Sequence, residues 1–365
     1  MSFKYLMPTK CYFGKGVVLE YKDELKNFGE KAMIVTGKSS SKKNGSLKDM
    51  EEALSLNNIS YIIFDDIEEN PSLETIGRAA ELGKKEDVDF IIGIGGGSPI
   101  DASKAIGVLI NNVNYSCEDI LEAPYLKSIP VIAVPTTAGT GSEVTPYSIV
   151  TDHKAKTKKN LGQLIYPEIA FCDASYMVEM PYTVTVNTGI DAFSHLAEAY
   201  LNSNANIMSD IYCEKGLKIF GECLPKFLSG ELDLKLREDL MMVSTLGGMA
   251  ITQTGTSLPH GMGYHLTYFK GMAHGMANGI LYEEYLKVFK DKTRVNELLS
   301  FIGVNSIEEL GEKFRNILKW NGIVTEEEIL SYAKSIACNK GKLKNHPEEI
   351  TEKELYNIYY RSLIK

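Results

Sequence analysis

Four stretches in the first 140 residues are runs of apolar, largely β-branched residues bounded by glycine, proline or acidic positions: KAMIVTG (31–37), ISYIIFDD (59–66), VDFIIGIGG (88–96) and IPVIAVPTT (129–137). Runs with no polar alternation suit strands covered on both faces, as in a parallel sheet. Between them the pattern shifts to a helical period in SLKDMEEALSLNN, SLETIGRAAELGKKE and SPIDASKAIGVLI. Alternating strands and helices predict a doubly wound α/β domain whose ligand crevice lies beyond the carboxyl ends of its strands. After about Pro181 the strand signal fades. SDIYCEKGLKIFGECLPKFL, NGILYEEYLKVFKDKTRVNELLSFIG and TEEEILSYAKSIAC are helical in period. We therefore expect an α/β domain with a parallel sheet over residues 1–182 and an all-α domain over residues 183–365, a division that suits a chain of this length.

Apolar content of 44% and charged content of 24% are those of a soluble globular protein. A net charge of −9 argues against a general nucleic-acid or membrane surface and leaves local clusters, such as Lys38 to Lys43, as anion sites. MSFKYLMPTK lacks the apolar core of a signal peptide, and no stretch approaches the roughly 18 apolar residues of a membrane span, so a cytoplasmic protein is expected. The six cysteines are dispersed without C-x-x-C spacing and read as reduced thiols.

Candidate chemistry concentrates in the helical half. Asp191 and His195 stand four apart in NTGIDAFSHLAEAY, and His260 and His274 bracket HGMGYHLTYFKGMAH. An i, i+4 pair projects to one side of a helix, and two histidines from a neighbouring segment can close a ligand set around one divalent metal. Each residue alone reads more often as an ion pair or a hydrogen-bonded structural histidine than as a ligand. The joint pattern favours a metal, with iron or zinc ahead of magnesium or calcium. Gly261, Gly263, Gly271 and Gly275 would let backbones pack closely around the set. His153 and His346 have no such setting and read as surface residues.

In the α/β half, GIGGGSPID (93–101) follows a strand and opens a helix, where glycines admit a pyrophosphate and free amides favour an anion. It is neither a standard G-x-G-x-x-G fingerprint nor a Walker loop. PTTAGTGSEVTP (135–146) leaves the next strand end, and Thr136, Thr137, Thr140 and Ser142 offer hydroxyls to a phosphate or a carboxamide. Such clusters are often only turns, but two on neighbouring strand ends favour a nucleotide site.

GGGSPID, AVPTTAGTGSEVTPYSIVTD, TGIDAFSHLAEAY and HGMGYHLTYFKGMAHGMANG together resemble the iron-dependent (group III) alcohol dehydrogenases, over nearly the whole chain and closest to the propanediol and butanol dehydrogenase branches. The resemblance implies a dinucleotide-binding domain followed by a catalytic metal domain. Asp191, His195, His260 and His274 fall on its metal ligands, and Asn70, Gly96, Gly97, Ser98, Asp101, Thr136, Thr137, Thr140, Thr145 and Lys159 on its cofactor positions. Tyr147 and Ile251 fall on positions that constrict the alcohol pocket; Tyr264 stands where some relatives carry a second histidine on a proposed proton path, with His265 beside it.

The implied reaction is hydride transfer between a short primary alcohol or diol and a nicotinamide, in the cleft between the domains, with the metal as a Lewis acid. The resemblance also implies a homodimer. Ferrous iron is expected before zinc, and the presence of a ligand at His195 favours the iron branch. NADP is expected before NAD: Gly37 occupies a position where NAD-specific relatives tend to carry an aspartate, and Lys38, Ser39 and Ser40, with Lys42 or Lys43, offer donors to a ribose phosphate. The alternatives are a zinc-dependent polyol dehydrogenase, a lyase similar to dehydroquinate synthase, and a nucleotide-binding protein without activity.

Overall fold

The apolar runs become strands because both faces of their sheet are covered. The computed structural model describes residues 3–155 and 157–364, so Met1 and Ser2 of the N-terminal stretch lie outside the described residues. The strands are β1 (Lys10–Phe13), β2 (Lys31–Thr36), β3 (Ser60–Phe64), β4 (Phe90–Gly95), β5 (Val131–Pro135), β6 (Ile149–Asp152), β7 (Thr157–Asn160) and β8 (Ile169–Cys172). Six of them form a sheet in the order β1-β8-β5-β4-β2-β3, with every pairing parallel. β6 and β7 make a separate antiparallel hairpin. Met33, Val35 and Ile91 join one apolar core with helix residues Ile76, Ala102 and Ile106; Ala32, Ile34 and Ile92 join another with Leu47, Met50 and Leu54. Each strand thus feeds alternate side chains to opposite cores.

The four strands expected from the sequence are present, shorter at their ends. β1, β8 and the hairpin were not expected. Four residues are too few to show a period, and the TKKN of β7 carries no apolar signal at all.

The chain divides into two compact units. One comprises Met7–Thr137 and Gly141–Met180; the other comprises Pro181–Lys365 together with Met1–Leu6 and Ala138–Thr140. Beyond Pro181 the described residues form helices and no strand. This unit is built around the helix Tyr182–Tyr200, buried along most of its length from Gly189 onward and flanked by the helices Ile207–Ser229 and Leu234–Thr254. Asn206 caps the Ile207–Ser229 helix by accepting from the amides of Met208 and Ser209, while Ser209 reciprocates on the Asn206 amide. No described helix is long and apolar enough to cross a membrane, and all six cysteines are free thiols.

Two expectations need correction. His346 is buried, not at the surface: its ring packs 4.7 Å from Phe289 and 5.7 Å from Tyr285, and burial pulls its pKa down to about 4. Gly271 does not serve close packing. It ends the Leu258–Lys270 helix at φ 62, with open space where a Cβ would stand. His153 is exposed, as expected.

Candidate metal and nucleotide sites

The Tyr182–Tyr200 helix carries Asp191, His195 and Glu198 at i, i+4 and i+7, one face of the helix, and all three are buried. His260 lies in the first turn of the Leu258–Lys270 helix, and His274 opens the short helix His274–Gly279. Glycines allow these elements to meet. A side chain at Gly275 would strike the Asn187 carbonyl, and one at Gly247 would crowd the His195 Cβ. Gly261 and Gly263 face Lys342 and Asn278 in the same way.

Ligand atoms of Asp191, His195 and His260 all lie within 4.8 Å of one another. His274 Nε2 is 3.7 Å from Asp191 Oδ1, and His260 Nε2 is 3.6 Å from the same oxygen. Hydrogen bonding defines the tautomers. His195 Nδ1 stands 3.1 Å from the Gly139 carbonyl, which can only accept, so this nitrogen carries the proton. His260 Nδ1 donates to Glu198 Oε1 at 2.5 Å. Both Nε2 atoms are then left with lone pairs, and they stand 2.9 Å apart. Two converging lone pairs repel unless a cation or proton lies between them. With the Asp191 carboxylate alongside, this donor set fits a divalent transition metal. Burial, the largest cause, holds His195 well below the usual imidazole range and so keeps its ring neutral, the state a metal requires.

Sequence reasoning missed the supports of this set. Glu198 accepts from His260 Nδ1 and from the Ser257 amide at 2.6 Å, and the Tyr282 hydroxyl lies 3.3 Å from its Oε1. A carboxylate behind a histidine ligand fixes its orientation and raises its basicity. The signal was available as the third member of the 191, 195, 198 face. Asn278 Nδ2 donates to Asp191 Oδ1 at 3.1 Å and so orients the carboxylate. Tyr264 stacks on His274, with ring centroids 5.5 Å apart.

In the α/β unit, Gly95 at φ 150 turns the end of β4 into the helix Gly97–Asn111. The Thr136 amide donates to the Gly95 carbonyl at 2.8 Å, and a Cβ on Gly96 would stand 3.0 Å from Thr137 Oγ1. The Asn70 amide donates to Ser98 Oγ at 3.0 Å. Asn70, Gly96, Gly97, Ser98, Thr136 and Thr137 are therefore gathered at the carboxyl ends of β4 and β5, with Gly96, Gly97, Ser98 and Thr137 only half-buried.

Asp101 and Ser142 sit differently. Asp101 is hydrogen-bonded to Ser142 Oγ and accepts from the Ile149 amide at 2.8 Å. Buried Lys104, unnoticed in the sequence, donates to Ser142 O at 2.8 Å, Ser142 Oγ at 2.9 Å and Tyr147 O at 2.6 Å. Burial pulls Lys104 down to about 8 and pushes Asp101 above the usual carboxylate range, against the pull of Lys104. This buried network shapes the 141–149 loop. Thr145 is buried in that loop, Thr140 groups with the helical unit, and Lys159 pairs with Asp152 at 2.9 Å.

At the end of β2, Gly37 is half-buried and Ser39 and Ser40 are exposed. Lys38 and Arg78 both pair with Asp66, at 3.0 Å and 2.9 Å, and Lys42 pairs with Asp65. Tyr147 is half-buried in the α/β unit, and burial pushes its hydroxyl up to about 12. Ile251 is buried in the Leu234–Thr254 helix of the other unit.

Comparison with known proteins accounts for both halves. Residues 8–174 match the family described as iron-containing alcohol dehydrogenase, and residues 185–363 match the C-terminal domain of the Fe-containing alcohol dehydrogenase family. The chain is 31% identical to NADPH-dependent butanol dehydrogenase of Clostridium saccharobutylicum, over 96% of this chain and 91% of that protein. It is 30% identical to lactaldehyde reductase of Escherichia coli strain K12, over 92% and 84%. An iron-containing alcohol dehydrogenase from Thermotoga maritima superposes with a TM-score of 0.93 at 37% identity, covering 99% of each chain. The chain belongs to the iron-containing alcohol dehydrogenase family, and is an oxidoreductase.

Proposed function

We propose that the protein interconverts short primary alcohols or diols and their aldehydes, with NADP preferred over NAD and ferrous iron preferred over zinc. The observation that carries this reading is the pair of convergent Nε2 atoms beside Asp191. Asp191, His195, His260 and His274 would hold the metal. When bound, it supplies Lewis acidity that eases deprotonation of an alcohol. Glu198 and the Gly139 carbonyl keep the two histidines in the tautomers that leave Nε2 free to bind, and Asn278 holds the Asp191 carboxylate in place. Gly96, Gly97 and Ser98, opening the Gly97–Asn111 helix, offer amides to the coenzyme pyrophosphate. Thr136, Thr137, Thr140, Thr145 and Lys159 would complete the coenzyme contacts, while Asp101 and Ser142 act by shaping the loop that carries Thr145.

NADP preference is supported by the β2 end, where three cations, Lys38, Lys42 and Arg78, share two carboxylates beside the exposed Ser39 and Ser40. The butanol dehydrogenase relative is named as NADPH-dependent. Tyr147, Ile251 and Tyr264 would each restrict the enzyme to unbranched substrates, and Tyr147→Ala should admit branched alcohols; an unchanged profile counts against that role. A cytoplasmic homodimer is the expected state, to be read by light scattering and fractionation. The main test is a panel of short alcohols, diols and aldehydes with each coenzyme, after anaerobic loading with iron or zinc. Absence of turnover on every member refutes the reading.

A further inference from the structure

The helical unit holds a second cation that the metal chemistry does not use. Lys342 belongs to the short helix Lys340–Leu343, and its amide donates to the Asn339 side chain at 3.1 Å. Its ammonium donates to the Thr256 hydroxyl, and the Thr256 carbonyl is itself held by Asn345 Nδ2 at 2.8 Å. Both ends of this contact are therefore fixed before any ligand arrives. The ammonium lies 6.0 Å from the centre of the Tyr264 ring, and that ring stacks on His274.

Lys104 is the instructive contrast. It has three oxygen acceptors and an aspartate 3.6 Å away. Lys342 has three N–H donors, one hydroxyl acceptor and, among the described residues, no ion pair. The residue is half-buried, but its ammonium end is drawn out of bulk water, which pulls its pKa below the usual lysine range, and an unpaired ammonium there is costly. Glu198, the carboxylate whose charge reaches Lys342, is already held by His260 and the Ser257 amide.

Access points the same way. The side chains of Asp191 and His260 are 5% and 3% exposed, whereas that of His274 is 27% exposed. Tyr264 and Lys342 are likewise only half-buried. The cluster is most exposed at His274, and the Lys342 ammonium lies near Tyr264, the ring that stacks on His274.

We propose that Lys342 receives the anionic end of the substrate, so that the preferred substrates are short aldehydes and alcohols carrying an oxyanion such as a carboxylate or a sulfonate. This rests on the alcohol dehydrogenase reading above. A substrate bound through its carbonyl at the metal ligands would extend past Tyr264 and pair its charge with the ammonium, gaining a charge-assisted hydrogen bond that a neutral chain cannot make.

The test compares succinic semialdehyde and sulfoacetaldehyde with butanal, using metal-loaded enzyme and NADPH. At least one anionic aldehyde should exceed butanal by about tenfold or more in kcat/KM, chiefly through KM. Lys342→Met should lower that ratio by about tenfold, and Lys342→Arg should keep most of it. A wild-type preference for butanal, or a ratio that Lys342→Met leaves unaltered, overturns the proposal. If Lys342→Met does not fold, inhibition of the wild type decides: succinate should compete at least about tenfold better than 1,4-butanediol, and equal inhibition overturns it. Comparing succinate with ethanesulfonate then separates carboxylate from sulfonate selectivity. Turnover of butanal with no anionic preference removes this inference alone, whereas no turnover of any aldehyde removes the oxidoreductase reading with it.

Discussion

The Asp191 and histidine cluster of the helical unit and the glycine-rich strand ends of the α/β unit are built by opposite means. In the first, side chains would supply every donor, and their aim is set by other side chains, Glu198 and Asn278 among them. In the second, Gly96 and Gly97 contribute only backbone, shaped by the turn at Gly95. A side-chain site is sensitive to deletion of chemistry. A backbone site is sensitive to addition of bulk.

The largest expected effects are a pair that should be separable. His260→Ala or His274→Ala should abolish metal retention, read by elemental analysis, and turnover with it, while NADPH binding stays nearly intact. Gly96→Val should do the reverse, because its side chain would be driven into Thr137; metal content stays at wild-type level and coenzyme binding collapses. If either variant loses both ligands the contrast fails, and full activity in metal-stripped His274→Ala would falsify the ligand assignment itself.

Next comes Glu198→Gln, which keeps the shape behind His260 but removes the charge. Metal affinity measured against a chelator should weaken by about 10- to 100-fold. An unchanged affinity makes Glu198 a packing residue only.

A third difference concerns acid. Five of the six histidines belong to the helical unit, and only His153 belongs to the other. Because burial holds folded His346 at about 4 against an ordinary 6.5, its neutral form stabilises the fold above pH 6.5, and that contribution is lost as pH falls from 6.5 towards 4. Urea unfolding of His346→Gln should show a shallower decline across that window, by about 2 kcal/mol. Parallel curves for wild type and variant would remove His346 as the cause.

The smallest effect belongs to the backbone site's rim. A Cβ at Gly37 would stand 3.4 Å from the Ile67 carbonyl, an ordinary contact, so an aspartate fits there. Gly37→Asp should raise the KM for NADP by about tenfold while changing that for NAD little. A native enzyme that already favours NAD defeats the coenzyme argument and leaves the metal argument standing.

What the sequence disclosed follows the same division. β2 to β5 were legible because strands covered on both faces need unbroken apolar runs, and the helices between them because one buried face imposes a period. The short β1 and β8 gave no period to read. The convergence of Asp191, His195, His260 and His274 was legible because histidines are scarce in the chain and the glycines around them unusual. Glu198 shares the helix face of Asp191 and His195, but a glutamate on a helix ordinarily faces water, and its place behind His260 is shown only by the fold. Lys342 was hidden for the same reason: its partner Thr256 is far away in the chain. His346 misled because Pro347 and two glutamates follow it in the sequence, while the rings that bury it come from Tyr285 and Phe289.

Gly275 shows how one backbone seam can set the reach of two side chains. The His274–Gly279 helix rests main chain against main chain on the Tyr182–Tyr200 helix at Asn187. The spacing between His274 and Asp191 is set by that seam and not by the side chains themselves. One methyl group at position 275 would force the two helices apart and carry His274 away from Asp191 with them.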